Sequence, residues 1–227
     1  MFYLIIAFLA GFVIPFVSRR LGKILPATMG SILFQLFHWP RFPRVHNPLQ
    51  HAAHHDKWVK LLRCALIWGI INTFLCLCVF LYLPATIHIY AIVFIWIVLC
   101  GADVDMRYLI LPDCLTLPLL LLGFLAAVQT SMISPLQSLY GCFFAYLITT
   151  LSVLVLSFMK QNLFGAGDSK MAIALGAWLG VQGLNYTIFL SFFLFVIYAF
   201  FIKKRTGAYG PALGLASLFS FFLLYAK

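Results

Sequence analysis

Apolar residues run along this chain in stretches of helical length, at about 2–18, 62–83, 86–102, 114–130, 136–158, 171–183, 185–202 and 208–226, with short breaks between them and one larger loop after the first. A bilayer crossing needs roughly 20 mostly apolar residues, and a helix satisfies every backbone N–H and C=O within its own segment. The pattern predicts an all-α membrane protein, a polytopic bundle of about eight transmembrane helices. It divides into a first transmembrane helix with a basic loop, residues 1–60, and a seven-helix core, residues 61–227. No basic residue precedes the first apolar run, and Arg19, Arg20 and Lys23 follow it, so it reads as a retained span rather than a cleaved signal.

Charge orients the bundle. If the N-terminus is periplasmic, the connections at 19–60, 103–113, 159–170 and 203–207 face the cytoplasm and hold every Lys and Arg except Lys227, with Arg63 at a span end. The opposite connections, at 83–85, 131–135 and around Gln182, carry no charge. Lys and Arg stay preferentially in cytoplasmic loops, so the reverse orientation is excluded. Of the 227 residues 64% are hydrophobic and only 9% charged, which rules out an ordinary soluble domain. The formal net charge of +10 accordingly reports topology in a membrane, and no nucleic-acid partner is expected.

The loop at 19–60 contains an apolar stretch of its own, Ile24 to Trp39, too short to span and expected to lie along the lipid interface with Trp39, Arg41 and Arg44 among the headgroups. It also holds His38, His46, His51, His54 and His55, and His51 with His55 has the spacing of a helical metal pair. No Cys joins them in the loop and Asp56 is its only carboxylate, so no metal site is expected. The six cysteines form no CxxC pair and read as small core residues.

The acids change the picture. There is no glutamate, and four of the five aspartates fall in two short segments, Gly101–Leu117 and Gly165–Lys170, both on the cytoplasmic side of a topology drawn from positive charges alone. Carboxylates beside apolar spans are costly and mark function. In the first segment Asp103 and Asp105 are two apart, so on a helix they point to opposite sides and only one can face a given partner. Pro112 breaks any continuous helix, and Asp113 stands where an N-cap precedes the next apolar run. The second segment, Gly165-Ala-Gly167-Asp168-Ser-Lys170, is a glycine-rich turn opening into the sixth span, permissive of close approach by another chain.

Two carboxylates brought together cannot both ionise easily and share a proton, one acting as base toward water and the other as acid toward a carbonyl. That is peptide hydrolysis by acid–base chemistry alone. Helix ends sort the roles: Asp168, at the positive end of span six, is expected ionised, and Asp105, at the negative end of span three, protonated.

These motifs resemble those of the type IV prepilin peptidase family, the leader peptidase/N-methyltransferases, which are eight-span GxGD aspartyl proteases. Val-Asp105 followed by Leu-Pro112-Asp113-x-Leu-Thr116-Leu-Pro118 is similar to the first family motif, Gly165-Ala-Gly167-Asp168-Ser-Lys170 to the second, and Tyr209-Gly210-Pro211 to a late Phe-Gly-Pro element. The resemblance implies a protease core that removes the short basic leader from type IV prepilins or type II secretion pseudopilins at the cytoplasmic face. It implies Asp105 and Asp168 as the catalytic pair, with Asp103, Pro112, Asp113, Gly165, Gly167 and Lys170 in support, and no cofactor for proteolysis. S-adenosylmethionine is implied only if N-methylation of the mature N-terminus is retained. The paired CxxC zinc motifs frequent in the family's N-terminal domain are missing, and its Gly-Ser-Phe-x-Asn segment is echoed only by Gly11, Arg20 and Leu21, with Pro15 in place of Asn. A proton-coupled transporter would also hold rare carboxylates in a bundle, but near mid-membrane and with internal repeats. An assembly factor that kept the fold without the chemistry would be expected to lack one of the two aspartates.

Overall fold

The chain is helical throughout a computed structural model that describes residues 2–24, 48–130, 132–158, 165–202 and 208–226. The helices are α1 (Phe2–Ile24), α2 (Pro48–Tyr82), α3 (His88–Tyr108), α4 (Asp113–Gln129), α5 (Pro135–Phe158), α6 (Ala166–Ile202) and α7 (Gly210–Tyr225), with a single 3₁₀ turn at Ala85–Ile87. Proline punctuates them. It opens α2 and α5, precedes the 3₁₀ turn and α4, and sits in the first turn of α7, positions where a missing N–H costs nothing. Among the described residues five helices are long and apolar enough to cross a membrane, and α4 and α7 are shorter apolar helices.

Helices run further than the apolar pattern predicts. α1 continues to Ile24, so Arg19, Arg20 and Lys23 lie on the helix rather than in a loop, and α2 begins at Pro48, inside the segment expected to be loop through residue 60. α3 reaches Tyr108, which puts Asp103 and Asp105 on its last turns instead of in a connection. A helix does not end where apolarity ends, because its backbone ladder continues until proline or a special backbone angle stops it. The interfacial stretch and His38 and His46 lie outside the described residues, as do the side chains of His51, His54 and His55.

The chain forms two compact units, Met1–Leu77 and Cys78–Lys227, with their boundary inside α2. In the first, Gly11 of α1 lies against the Trp68 carbonyl and Asn72 of α2, Gly69 lies against the Phe8 ring, and the buried Asn72 amide donates to the Ala7 carbonyl at 2.7 Å. Small residues and a polar side chain thus join two apolar helices, as expected where lipid removes the hydrophobic drive between them.

The second unit holds the acidic segments. α3 and α7 run antiparallel, with Phe94 on Phe221 at one end and Asp105 on Gly210 at the other. Trp178 of α6 packs on Phe94 and Phe221 and donates its Nε1–H to the Leu119 carbonyl of α4 at 2.7 Å, while Tyr225 donates to the Trp178 carbonyl at 2.7 Å. α5 joins α6 by glycine contact, Gly141 on Gly176, and by Ser138 Oγ donating to the Ala177 carbonyl.

The two apolar runs expected at 171–183 and 185–202 form one element, α6, broken at Gly180 (φ 62°, ψ −171°). That left-handed φ suits glycine alone at low strain. The chain reverses there. Trp178 lies beside Tyr225 at the end of α7, Gly183 lies against Leu224, and Ser191 meets Tyr209, just before α7 begins. Residues 166–179 therefore lead away from the end of the bundle that holds Asp105, and residues 181–202 return to it.

Candidate active site at one end of the bundle

Four chain ends converge around the acids: the last turns of α3, the connection 109–112, and the first turns of α6 and α7. Asp103 and Asp105 leave α3 on different sides, as their spacing predicts. Asp103, 1% exposed, receives a two-pronged ion pair from Arg107, with Nε on Oδ2 and Nη2 on Oδ1, each at 2.9 Å. The pair is internal to the helix, one turn apart, and places a cation at the helix C-terminus where the dipole favours it. A carboxylate neutralised in this way is a brace rather than a free acid or base.

Asp105, 5% exposed, faces α7 instead, and its Oδ2 accepts the backbone N–H of Gly210 at 2.7 Å. α3 then stops at Leu109, whose left-handed backbone (φ 55°) returns its N–H to the Asp105 carbonyl at 2.9 Å.

The connection holds the two motifs together. Leu111 is buried between Gly101 of α3 and Gly167 of the glycine-rich turn. A Cβ on Gly167 would meet the Leu111 Cβ at 2.8 Å and its backbone N and O at 3.2 Å, so only glycine lets the start of α6 lie on this strand of chain. A Cβ on Gly165 would meet the Asp168 Oδ2 at 3.0 Å, and the Gly165 carbonyl accepts the Asp168 N–H at 3.1 Å. Both glycines of the motif thus have a defined neighbour, and the result brings the half-buried Asp168 within electrostatic reach of Asp105.

Pro112 is buried and takes the extended N-cap position of α4 (φ −78°, ψ 145°), displacing Asp113 from the capping role that the spacing assigned to it. Asp113 is the first helical residue, and its Oδ1 accepts the Lys170 ammonium at 2.6 Å. Both side chains are 51% exposed, so the bridge ties the starts of α4 and α6 at the rim. Two features escaped the sequence reading: the Gly210 N–H, and the hydroxyl contact of Tyr209 with Ser191 at 2.6 Å. Tyr209-Gly210-Pro211 stands out as a motif, but nothing in the sequence says that its backbone meets Asp105.

Among the described residues no group of three or more His, Cys, Asp or Glu could hold a metal ion, and the six cysteines are free thiols. A cavity of about 340 Å³ lies at the opposite end of this unit, lined by Met132, Ile133, Gln137, Tyr140, Gln182 and their neighbours.

Residues 92–200, which include both Asp105 and Asp168, match the type IV leader peptidase family. The prepilin leader peptidase/N-methyltransferase of Dichelobacter nodosus is 35% identical over 136 residues, 58% of this chain and 48% of that protein. That of Neisseria gonorrhoeae is 36% identical over 116 residues, 49% of this chain and 40% of its own length, and that of Vibrio cholerae 30% identical over 125, 54% and 49%. The chain spans about half the length of the curated relatives it matches. No solved structure matches it.

Proposed function

We propose that this multi-pass membrane protein, whose residues 92–200 match the type IV leader peptidase family, is an aspartic endopeptidase that removes the short basic leader from type IV prepilins or type II secretion pseudopilins. The observation that supports it is that Asp105 and Asp168, from the end of one helix and the start of another, lie within electrostatic reach of each other in a chain with only five carboxylates. The positive-inside pattern supports a site at the cytoplasmic face of a bacterial inner membrane.

In this reading the pair holds one proton. The ionised carboxylate takes a proton from water as the oxygen attacks the scissile carbonyl, and the protonated one donates to the carbonyl oxygen. The tetrahedral intermediate then collapses as a proton passes to the leaving amine, which leaves acid, amine and a singly protonated pair. The Gly210 N–H keeps Asp105 oriented through the cycle. Asp103, held by Arg107, supports the end of α3. Asp113 with Lys170 supports the rim, and Pro112, Gly165 and Gly167 support the close approach of α6. Proteolysis is proposed to need no cofactor, and S-adenosylmethionine enters only if a methyl-transfer step exists.

The test is co-expression with a prepilin, following leader loss by the mass of the mature N-terminus, in the wild type, Asp105→Ala and Asp168→Ala. Loss of processing in both variants, at wild-type membrane levels, is the expected result. Processing that survives either substitution ends the proposal, and the same masses report any added methyl group.

A further inference from the structure

The N–H that holds Asp105 belongs to the peptide joining Tyr209 to Gly210, so whatever fixes that peptide fixes the carboxylate. The peptide is planar, and its other pole, the Tyr209 carbonyl, accepts the Leu213 N–H at 3.0 Å in the first turn of α7. Rotation of the plane would break both bonds at once. The tyrosine side chain is itself held. Its ring stands edge-on to Phe195 with centroids 5.4 Å apart, and its hydroxyl lies 2.6 Å from Ser191 Oγ, both on the returning part of α6.

The direction of that bond follows from donor counting. Ser191 Oγ also contacts the Ile188 carbonyl at 2.9 Å, and a carbonyl only accepts. A serine hydroxyl has one proton, so Ser191 donates to Ile188 and must accept from Tyr209. The relay runs Tyr209 to Ser191 to the Ile188 carbonyl, and each bond polarises the next. Tyr209 lies within electrostatic reach of Asp168, but its proton is committed to Ser191. The arrangement makes it a support for the site and not its acid.

We propose that the Tyr209–Ser191 hydroxyl pair is a latch between the returning part of α6 and the start of α7, and that it holds the Gly210 N–H on Asp105, which makes Tyr209 and Ser191 positioning residues for the aspartate pair. The proposal rests on the functional reading above for its catalytic consequence and on the geometry alone for the latch. It also gives the fold at Gly180 a purpose, since only a reversed α6 delivers Ser191 to Tyr209.

Two readouts on the full chain in detergent test it. The first needs no substrate: amide hydrogen exchange at Gly210 should quicken by about tenfold in Tyr209→Phe and in Ser191→Ala, with no further gain in the double variant, because both open one local unit. Ser191→Thr, which keeps the hydroxyl, should retain protection. The second is leader removal, where kcat should fall by about tenfold in either single variant with KM unchanged, as a carboxylate drifts from its productive position. Unchanged exchange at Gly210 in both single variants overturns the latch, and faster exchange with an unaltered kcat per folded molecule overturns its positioning role. A wild type that cleaves no prepilin sinks the functional reading instead, and the exchange result still decides the latch.

Discussion

Replacing Gly210 by alanine puts one carbon where the structure has no room for it. The new Cβ would lie 2.7 Å from the Asp105 Oδ2, 2.9 Å from its Cβ and 3.0 Å from its Cγ, against ordinary contact from 3.4 Å. The deficit is 3.4 − 2.7 = 0.7 Å at the carboxylate oxygen and 3.4 − 2.9 = 0.5 Å at the side-chain root. A rotation about χ1 cannot move Asp105 Cβ, so α3 and α7 must separate. The N to Oδ2 distance then grows from 2.7 Å by about that 0.5 Å, to the roughly 3.2 Å limit of a good bond. A displacement of about 1 Å at a reacting group costs on the order of 10²-fold in rate, and overpacking of this kind costs about 1–3 kcal/mol of stability. We expect kcat for leader removal to fall by about that factor, with KM little changed and the protein still folded in the membrane. The assay is steady-state cleavage of a purified prepilin in detergent, normalised to folded enzyme by thermal denaturation. Gly214→Ala, one turn further along α7, is the control. Its Cβ meets Val98 Cγ1 at 3.2 Å and no carboxylate, so activity should stay within a few-fold of wild type. Wild-type kcat in Gly210→Ala would refute the idea that this backbone contact positions the catalytic group.

Other substitutions separate packing from chemistry. Gly176→Ala should destabilise the bundle by about 1–3 kcal/mol in thermal denaturation, because its Cβ would lie 2.5 Å from the Gly141 carbonyl oxygen, rigid backbone that cannot move aside. Lys170→Ala should change stability by no more than about 1 kcal/mol, since both partners of its bridge to Asp113 are half exposed, and a large loss of stability would mean that the rim bridge holds the fold. The pH profile of kcat in the wild type should be bell-shaped, because the aspartates titrate as a pair and activity needs the singly protonated state. A profile flat across the acidic range would contradict shared protonation.

Much of the fold was legible in the chain because lipid imposes a simple rule: a segment that crosses must be helical and apolar. The eight apolar runs reappear as helical legs, six in separate helices and two as the legs of α6 on either side of Gly180. The acids were legible for the converse reason, since a carboxylate in such a chain is rare enough to mark its own importance, and the two-residue spacing of Asp103 and Asp105 already sent them to different neighbours. Hydropathy was silent about which faces meet. In a soluble helix the apolar face is the packed face, but here Phe158 and Phe200 are as apolar as the core and stand exposed on the surface that lipid would cover. Beside the buried Phe94, Trp178 and Phe221, packing rests on groups that a hydrophobic pattern does not register: glycines at 141, 167 and 176, backbone carbonyls, and one amide hydrogen at Gly210. The sequence by itself determined the class of the protein, its apolar segments and its pair of candidate acids. Only the tertiary structure decided that α6 folds back at Gly180, that Leu111 seats the glycine-rich turn, and that α7 presents a backbone N–H to Asp105, because these depend on close approach between segments distant in the chain.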